Sequence, residues 1–350
     1  MRLRHILFVE LLGGIGDLVM ALPSIHALAS SHPSAEISVF SFRPGIELLK
    51  ADPSVARVLP ATKRDDANGM PVAKEELREL LSRERFDLIV CDANYAGIDQ
   101  LIEASEAGYK VTRLWRDARA DERIERVFLR NLISLGYVRP ELADEAPHLV
   151  VLETERQWAA HWYSANTDGT CRIVMLNPDS GVAVKRWAPE HFVKLGKGLL
   201  DGGTQIVVAA GEDASVAAEI AACIGGNARV LPKMPLRRFA SLVALASLFV
   251  SSDTGPAKIA AALGVPTVAL FGPTWAERYG VPSPNVNLQS PFRCSELRPM
   301  NITLQPCWFS GQCVHPGKRT CTDDIDPARV LAEARRLLSQ PVQAMAKSPL

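Results

Sequence analysis

Short apolar runs and amphipathic segments alternate twice along this chain. Residues 5–12 are mostly apolar and end in the glycine turn 13–16; residues 17–30 then place apolar side chains at helical spacing, and further apolar runs follow at 37–42 and 88–91. Unbroken apolar runs of this length suit strands buried on both faces, and helical segments between them are the connections a parallel sheet needs. A polar connector at 166–170 interrupts the rhythm, which then restarts. Strands are predicted at 173–176, 205–210, 230–231, 248–250 and 267–271, with helices at 189–200, 214–224, 236–246 and 256–263. Residues 284–320, rich in Pro, Cys and polar side chains, predict irregular structure, 326–339 a last helix, and the final ten residues a frayed end. The fold class expected is α/β: two Rossmann-like, doubly wound domains, 1–165 and 170–325, with a cleft between them and a closing helix at 326–340. Ligands in such folds gather outside the carboxyl ends of the strands.

Composition narrows the picture further. A chain of 350 residues exceeds what one core usually serves, which agrees with two domains. The 39 basic and 39 acidic side chains cancel, so no global field gathers nucleic acid. No apolar run reaches the roughly 18 residues that cross a bilayer, and the first residues show no long apolar leader. A soluble, cytoplasmic protein is expected, with peripheral contact at the inner membrane face left open. Seven cysteines, an odd number, argue for reduced thiols rather than a disulfide framework.

Candidate chemistry sits at the predicted strand ends. The turn Gly13-Gly14-Ile15-Gly16-Asp17 lacks the G-x-G-x-x-G spacing of dinucleotide folds, and no acidic residue ends the second strand, which argues against a nicotinamide cofactor. Asp17 reads either as a helix cap or as a general base, with Gly14 and Gly16 letting a substrate approach the backbone. In the second half, Asn177 closes the first strand and Lys185-Arg186 follows on its loop, either solvated or facing a departing phosphate. Glu212 follows the next strand, where a carboxylate can take ribose hydroxyls, with capping at Asp213 the competing reading. Asp253-Thr254-Gly255-Pro256 breaks a buried strand into a helix start, an arrangement that points backbone N–H groups at an anion; Lys258 lies one turn in.

Taken together, residues 16–23, Lys185-Arg186-Trp187, residues 230–236, Asp253 to Ala262 and Phe271-Gly272-Pro273-Thr274 resemble the ADP-heptose heptosyltransferases of glycosyltransferase family 9. The resemblance runs in order from residue 5 to about 281. It implies a GT-B fold and inverting transfer from a nucleotide-sugar donor to a saccharide acceptor, with no cofactor or divalent metal in catalysis. It places the base on Asp17, the phosphate-binding lysine on Lys185, an adenine contact near Met234 and the phosphate loop on Asp253, Thr254 and Gly255. Where the family usually carries histidine, this chain carries Lys258. Two rival functions remain: a glycosyltransferase using another nucleotide sugar or a protein acceptor, and a non-catalytic sugar-nucleotide-binding scaffold.

Two clusters stand outside that pattern. Cys294, Cys307, Cys313 and Cys321 are spaced C-x12-C-x5-C-x7-C with His315 nearby and no C-x-x-C pair, and are expected to form a structural zinc or iron site, with free thiols as the alternative. The related bacterial autotransporter heptosyltransferases are similar in carrying cysteine-bound iron near this end. Residues 110–130 hold six arginines among acids, read as a solvated helix laced with i,i+4 pairs or as a patch for an anionic acceptor.

Overall fold

A computed structural model of the chain describes residues 2–65, 69–167, 172–201, 203–226 and 228–340. Residues 1–150 form one unit and residues from 151 onward a second, each around its own parallel sheet. The first unit runs β1 (His5–Glu10), α1 (Ile15–Ser31), β2 (Glu36–Phe42), β3 (Arg57–Ala61), α2 (Val72–Arg83), β4 (Leu88–Cys91), α3 (Ile98–Glu103), β5 (Tyr109–Val111) and α4 (Ile124–Ser134). Its strand order is β3-β2-β1-β4-β5, all parallel. Ile6, Leu7, Phe8 and Val9 of β1 are wholly buried, which is why that run shows no alternation. From β1 the sheet grows outward to β3, and the chain then crosses back to β4. That reversal opens a crevice beyond the carboxyl ends of β1 and β4, at Glu10 and Cys91.

The second unit runs α5 (Glu153–Asn166), β6 (Arg172–Asn177), α6 (Pro189–Leu199), β7 (Thr204–Ala209), α7 (Ala214–Ile224), β8 (Arg229–Leu231), α8 (Leu236–Val243), β9 (Leu248–Ser252), α9 (Gly255–Ala262), β10 (Thr267–Phe271), α10 (Ala276–Tyr279), β11 (Val286–Gln289), α11 (Pro306–Ser310) and α12 (Pro327–Ser339). Its order is β11-β10-β9-β6-β7-β8, again parallel. Here the reversal lies between β6 and β9, so Asn177 and Asp253 flank the crevice. Trp187 is buried in the core beneath it, stacked edge-on to Phe192, and its indole N–H donates to the Ile325 carbonyl.

The expected α/β class with two parallel sheets is what the chain adopts. Several elements differ from the sequence reading. β3, β5 and β11 are three of the four edge strands, where one flank faces no strand and polar residues or a proline such as Pro60 are tolerated, so the apolar signal fades. β11 and α11 lie inside the segment expected to be irregular. The boundary between the units falls at 150/151, ahead of α5, whereas the polar connector was read at 166–170; the side chain of Tyr163 on α5 is buried against the second sheet's core and donates to the Leu242 carbonyl. Residues 168–170 of that connector and the final ten residues lie outside the described residues. Among the described residues, no helix is long and apolar enough to cross a membrane.

Candidate functional site

In the first unit, the chain leaves β1 through a glycine turn into α1. Gly13 sits at φ +97°, a conformation that side chains disfavour, and Gly14 is the helix N-cap. Asp17 stands three positions after that cap, and its Oδ2 accepts the Gly14 N–H at 2.8 Å. A Cβ on Gly14 would come within 2.5 Å of the same oxygen, so any other residue there displaces the carboxylate. Asp17 is thus a capping residue and half-exposed at the mouth of the crevice as well; Gly16 lies beside it in the first helical turn.

Two further carboxylates lie beneath this turn, and the sequence reading missed both. Glu10 is buried, with Oε1 accepting the Leu12 N–H at 3.0 Å and Oε2 accepting the Ser41 hydroxyl. Asp92, directly after β4, is fully buried, with Oδ1 accepting the Leu11 N–H at 3.3 Å and Oδ2 without a hydrogen-bond partner among the described residues. Burial, reinforced by the charge of Asp17, pushes the Glu10 carboxyl up to about 7; burial and the nearness of Glu10 push Asp92 up as well. The signal in the sequence was one acid ending an otherwise apolar strand.

The sign of the resulting pH dependence follows from proton counts. Below about pH 4.5 both folded and unfolded states hold the Glu10 proton; between there and about 7 only the folded state does, so stability falls as pH rises. Glu10→Gln is expected to gain about 3 kcal/mol near pH 8 and nothing near pH 4. Thermal melts of both proteins across that range check it; a constant difference would place the cause elsewhere.

In the second unit, the loop after β6 is pinned at three points. Asn177 Nδ2 donates to Ser251 Oγ and to the Asp179 carbonyl, both at 3.0 Å, and the Trp187 N–H donates to Ser252 Oγ at 3.3 Å. Asp179 accepts from the Ser180 N–H at 2.8 Å and the Glu212 N–H at 3.2 Å, and its carboxylate lies 2.8 Å from the Arg186 guanidinium. It thereby ties the loops after β6 and β7 together. Gly211 must be glycine because a Cβ there would lie 1.6 Å from Asp179 Oδ2.

The pinned loop delivers Lys185 to Asp253. Lys185 Nζ donates to Asp253 Oδ2 at 2.9 Å and lies 4.9 Å from the centre of the Trp308 ring. Thr274 donates to the same carboxylate oxygen at 2.8 Å, and Lys258 Nζ is 3.9 Å from the other. Burial would raise the Asp253 carboxyl, but the charges of Lys185 and Lys258 outweigh it and hold the group below the usual carboxylate range. Thr254 caps α9 in extended conformation without a side-chain cap bond, its Oγ1 being 3.1 Å from Ser251 Oγ instead. The α9 start at Gly255 therefore presents backbone N–H groups beside Lys185.

Some sequence-predicted residues take positions other than those expected. Asp253 of the expected phosphate loop is almost fully buried and holds two lysines. Lys258 ends in a buried Nζ under the turn, 5.8 Å from the Phe271 ring centre, instead of reaching toward a phosphate. Glu212 is exposed and paired with Lys233. Met234 is half-buried at the start of α8, against the core cluster containing Leu231. The basic stretch is largely paired, but through Arg123–Glu125, Arg126–Asp144 and bidentate Arg130–Glu122 contacts rather than i,i+4 pairs.

The expected tetrathiolate site is corrected. Cys294, Cys307, Cys313 and Cys321 line one pocket with His315, whose Nε2 is 3.2 Å from Cys294 Sγ. Their sulfurs nevertheless do not assemble a ligand set: among the described residues the group of three donors within 4.8 Å of one another is His26, Glu145 and His148. Backbone-directed bonds position the cysteine segment: Thr320 donates to the Val184 carbonyl at 2.7 Å and Gln305 to the Pro273 carbonyl at 2.9 Å. Burial, reinforced by the neighbouring cysteines, pushes the Cys321 thiol up to about 12 and raises Cys307. What the segment does supply is Trp308 against Lys185.

Comparisons with known proteins bear on the family and the fold. The sequence model of glycosyltransferase family 9 (heptosyltransferase) matches residues 136–301. The chain is 26% identical over 360 residues to lipopolysaccharide heptosyltransferase 1 of Pseudomonas aeruginosa, covering 93% of this chain and 96% of that protein. The structure superposes on a family 9 glycosyltransferase of Veillonella parvula with a TM-score of 0.78 at 21% identity, covering 96% and 97% of the two chains. It superposes on the E. coli ADP-heptose lipopolysaccharide heptosyltransferase II with a TM-score of 0.67 at 22% identity, covering 97% and 98%. At those identities the structures speak to the fold, which is GT-B.

Proposed function

The chain is a heptosyltransferase-like glycosyltransferase of family 9, and on that premise we propose that it moves a heptose from ADP-heptose to a saccharide hydroxyl in the synthesis of a lipopolysaccharide core or another surface glycan. The observation that carries the reading is Lys185, held by Asp253 and Trp308 beside the open N-terminus of α9 at the reversal point of the second sheet. A diphosphate leaving group develops negative charge as the glycosidic bond to the donor breaks, and a fixed cation with aligned backbone N–H groups stabilises that charge. Lys258 contributes from beneath by keeping Asp253 ionised, and Asp253 in turn orients Lys185. Asn177, Arg186 and Asp179 shape the loop around the nucleotide, with Glu212 near the ribose and Met234 toward the adenine.

The first unit binds the acceptor, with Asp17 as the base that takes the hydroxyl proton while oxygen attacks the anomeric carbon from the side opposite the diphosphate. Burial makes the carboxyls of Glu10 and Asp92 hold their protons more readily than exposed acids do, so neither is as ready a base as a half-exposed carboxylate. The relatives' names supply the donor and the glycan.

Incubation with ADP-heptose and a panel of lipopolysaccharide-core and peptide acceptors, with products read by mass, tests the transfer. Thermal melts separate the donor nucleotides: ADP at 100 times its dissociation constant is expected to add about 2.7 kcal/mol of stability, with UDP and GDP adding less at equal concentration. A larger effect of UDP or GDP would reassign the donor, a shift with ADP but no product from any acceptor would favour the non-catalytic scaffold, and no shift from any of the three would overturn the nucleotide-sugar reading.

A further inference from the structure

The first unit carries a second constellation that the transfer reaction does not use. His26 lies on α1, nine residues beyond Asp17 and so about 14 Å along the helix, with its ring buried. Its Nε2 lies 2.7 Å from Asp52 Oδ2, and the other oxygen of Asp52 accepts the Ser54 N–H at 2.9 Å. A carboxylate is an acceptor only, so the hydrogen sits on Nε2 and the Nδ1 lone pair is left over. That Nδ1 is buried and has no hydrogen-bond partner among the described residues. An unsatisfied buried polar atom costs about 1–3 kcal/mol, and native folds rarely keep one without a use. Against the His26 ring stacks His148, with centroids 3.9 Å apart, and Glu145 Oε1 is 3.6 Å from His148 Nδ1. One donor atom from each of His26, Glu145 and His148 lies within 4.8 Å of the others.

We propose that His26, Glu145 and His148 form a zinc site in which Asp52 fixes the His26 ring and water completes the coordination. Two acidic side chains around the histidines exclude an anion as the ligand. Two imidazoles and one carboxylate make a borderline donor set suited to zinc, whereas magnesium and calcium take oxygen almost exclusively. A carboxylate behind a ligating imidazole is the usual means of setting its tautomer and orientation, and Asp52 stands in that place. Donors on one tetrahedral zinc sit about 3.3 Å apart, so the set must contract and His148 must turn off its stack. Both movable ligands are free to do so: the His148 side chain is 52% exposed and Glu145 27%, and both lie on chain without helix or strand, whereas His26 is locked in α1. Bound zinc would clamp residues 145–148 to α1 just before the unit ends at residue 150. Its distance from Asp17 gives it a structural role.

The test is zinc titration of the full chain against a competing chelator, together with zinc X-ray absorption, for the wild type, His148→Ala, Glu145→Ala and a variant with Cys294, Cys307, Cys313 and Cys321 changed to serine. The expected result is one equivalent per chain with a nitrogen and oxygen shell, retained in the serine variant. His148→Ala and Glu145→Ala should each weaken that equivalent by 10-fold or more and abolish the zinc-dependent rise in melting temperature. Both replace exposed or half-exposed side chains, so folding is preserved and is checked by the metal-free melt. The proposal is overturned if His148→Ala binds zinc as the wild type does, if the shell is sulfur, or if no equivalent binds.

Discussion

Asp17→Asn is expected to lower turnover by about 10²–10⁴-fold while leaving ADP affinity unchanged. Asparagine suits this test because Asp17 has two roles that must be separated. Its Oδ2 accepts the Gly14 N–H at the start of α1, and truncation to alanine would remove a cap worth about 1 kcal/mol along with the base. The amide oxygen of asparagine can still accept that N–H but cannot take a proton from a hydroxyl. Single-turnover transfer from ADP-heptose, measured beside the ADP melting shift, gives both quantities from one protein. Wild-type turnover in Asp17→Asn would remove Asp17 as the base and turn attention to the Glu10 and Asp92 carboxyls below it. Full loss of both turnover and the melting shift would mean that the substitution had unfolded more than the cap.

Asp253→Ala is expected to be the most damaging substitution for stability, at about 3–5 kcal/mol. Lys185 is 14% exposed and Lys258 7%, and Asp253 lies within ion-pair distance of both. Removing the carboxylate leaves two ammonium groups near each other with little water to solvate them, which costs more than the pair itself contributes. A fall in melting temperature of roughly ten degrees or more follows for a unit of this size. Adding Lys258→Met should restore part of the loss, since the two residues share one network and their effects are not additive. The pH dependence has a definite sign. The Asp253 carboxyl is held below its ordinary 3.8 in the fold, so its contribution is fully present above that value and is lost as pH falls through the lowered one. The gap between wild type and variant should stay constant from pH 5 to 8 and close only in strong acid. A variant as stable as the wild type would show that the lysines find other partners.

How much of this was legible in the chain depends on distance along it. Buried parallel strands announce themselves because residues 6–9 of β1 and 248–250 of β9 lie between helix layers and are apolar, and glycine and proline mark where the strands turn into α1 and α9. Asp17, Lys185 and the Asp253 turn could therefore be placed at strand ends before any coordinates. The edge strands β3, β5 and β11 could not, since half their surroundings is solvent and fewer of their side chains must be apolar; β8, the fourth edge, was legible only from the pair Val230-Leu231. Asp179 was passed over because nothing near it in sequence shows that it would bridge to Glu212, 33 residues on. Lys258 was assigned to a phosphate from its place one helical turn past the cap, a position that says nothing about which way a long side chain runs.

The sequence by itself determined the twofold α/β rhythm, the glycine turn that leads into Asp17 and the helix start that can hold a phosphate, because burial and turn chemistry act over a few neighbouring residues. Only the tertiary structure decided that Lys185 meets Asp253, 68 residues away, that Glu10 and Asp92 are buried near one another, that the four thiols line one pocket without three of them reaching ligand distance, and that His26, Asp52, Glu145 and His148 converge. Those meetings depend on strand order and on which loops share a sheet end, and no local pattern of residues carries that information.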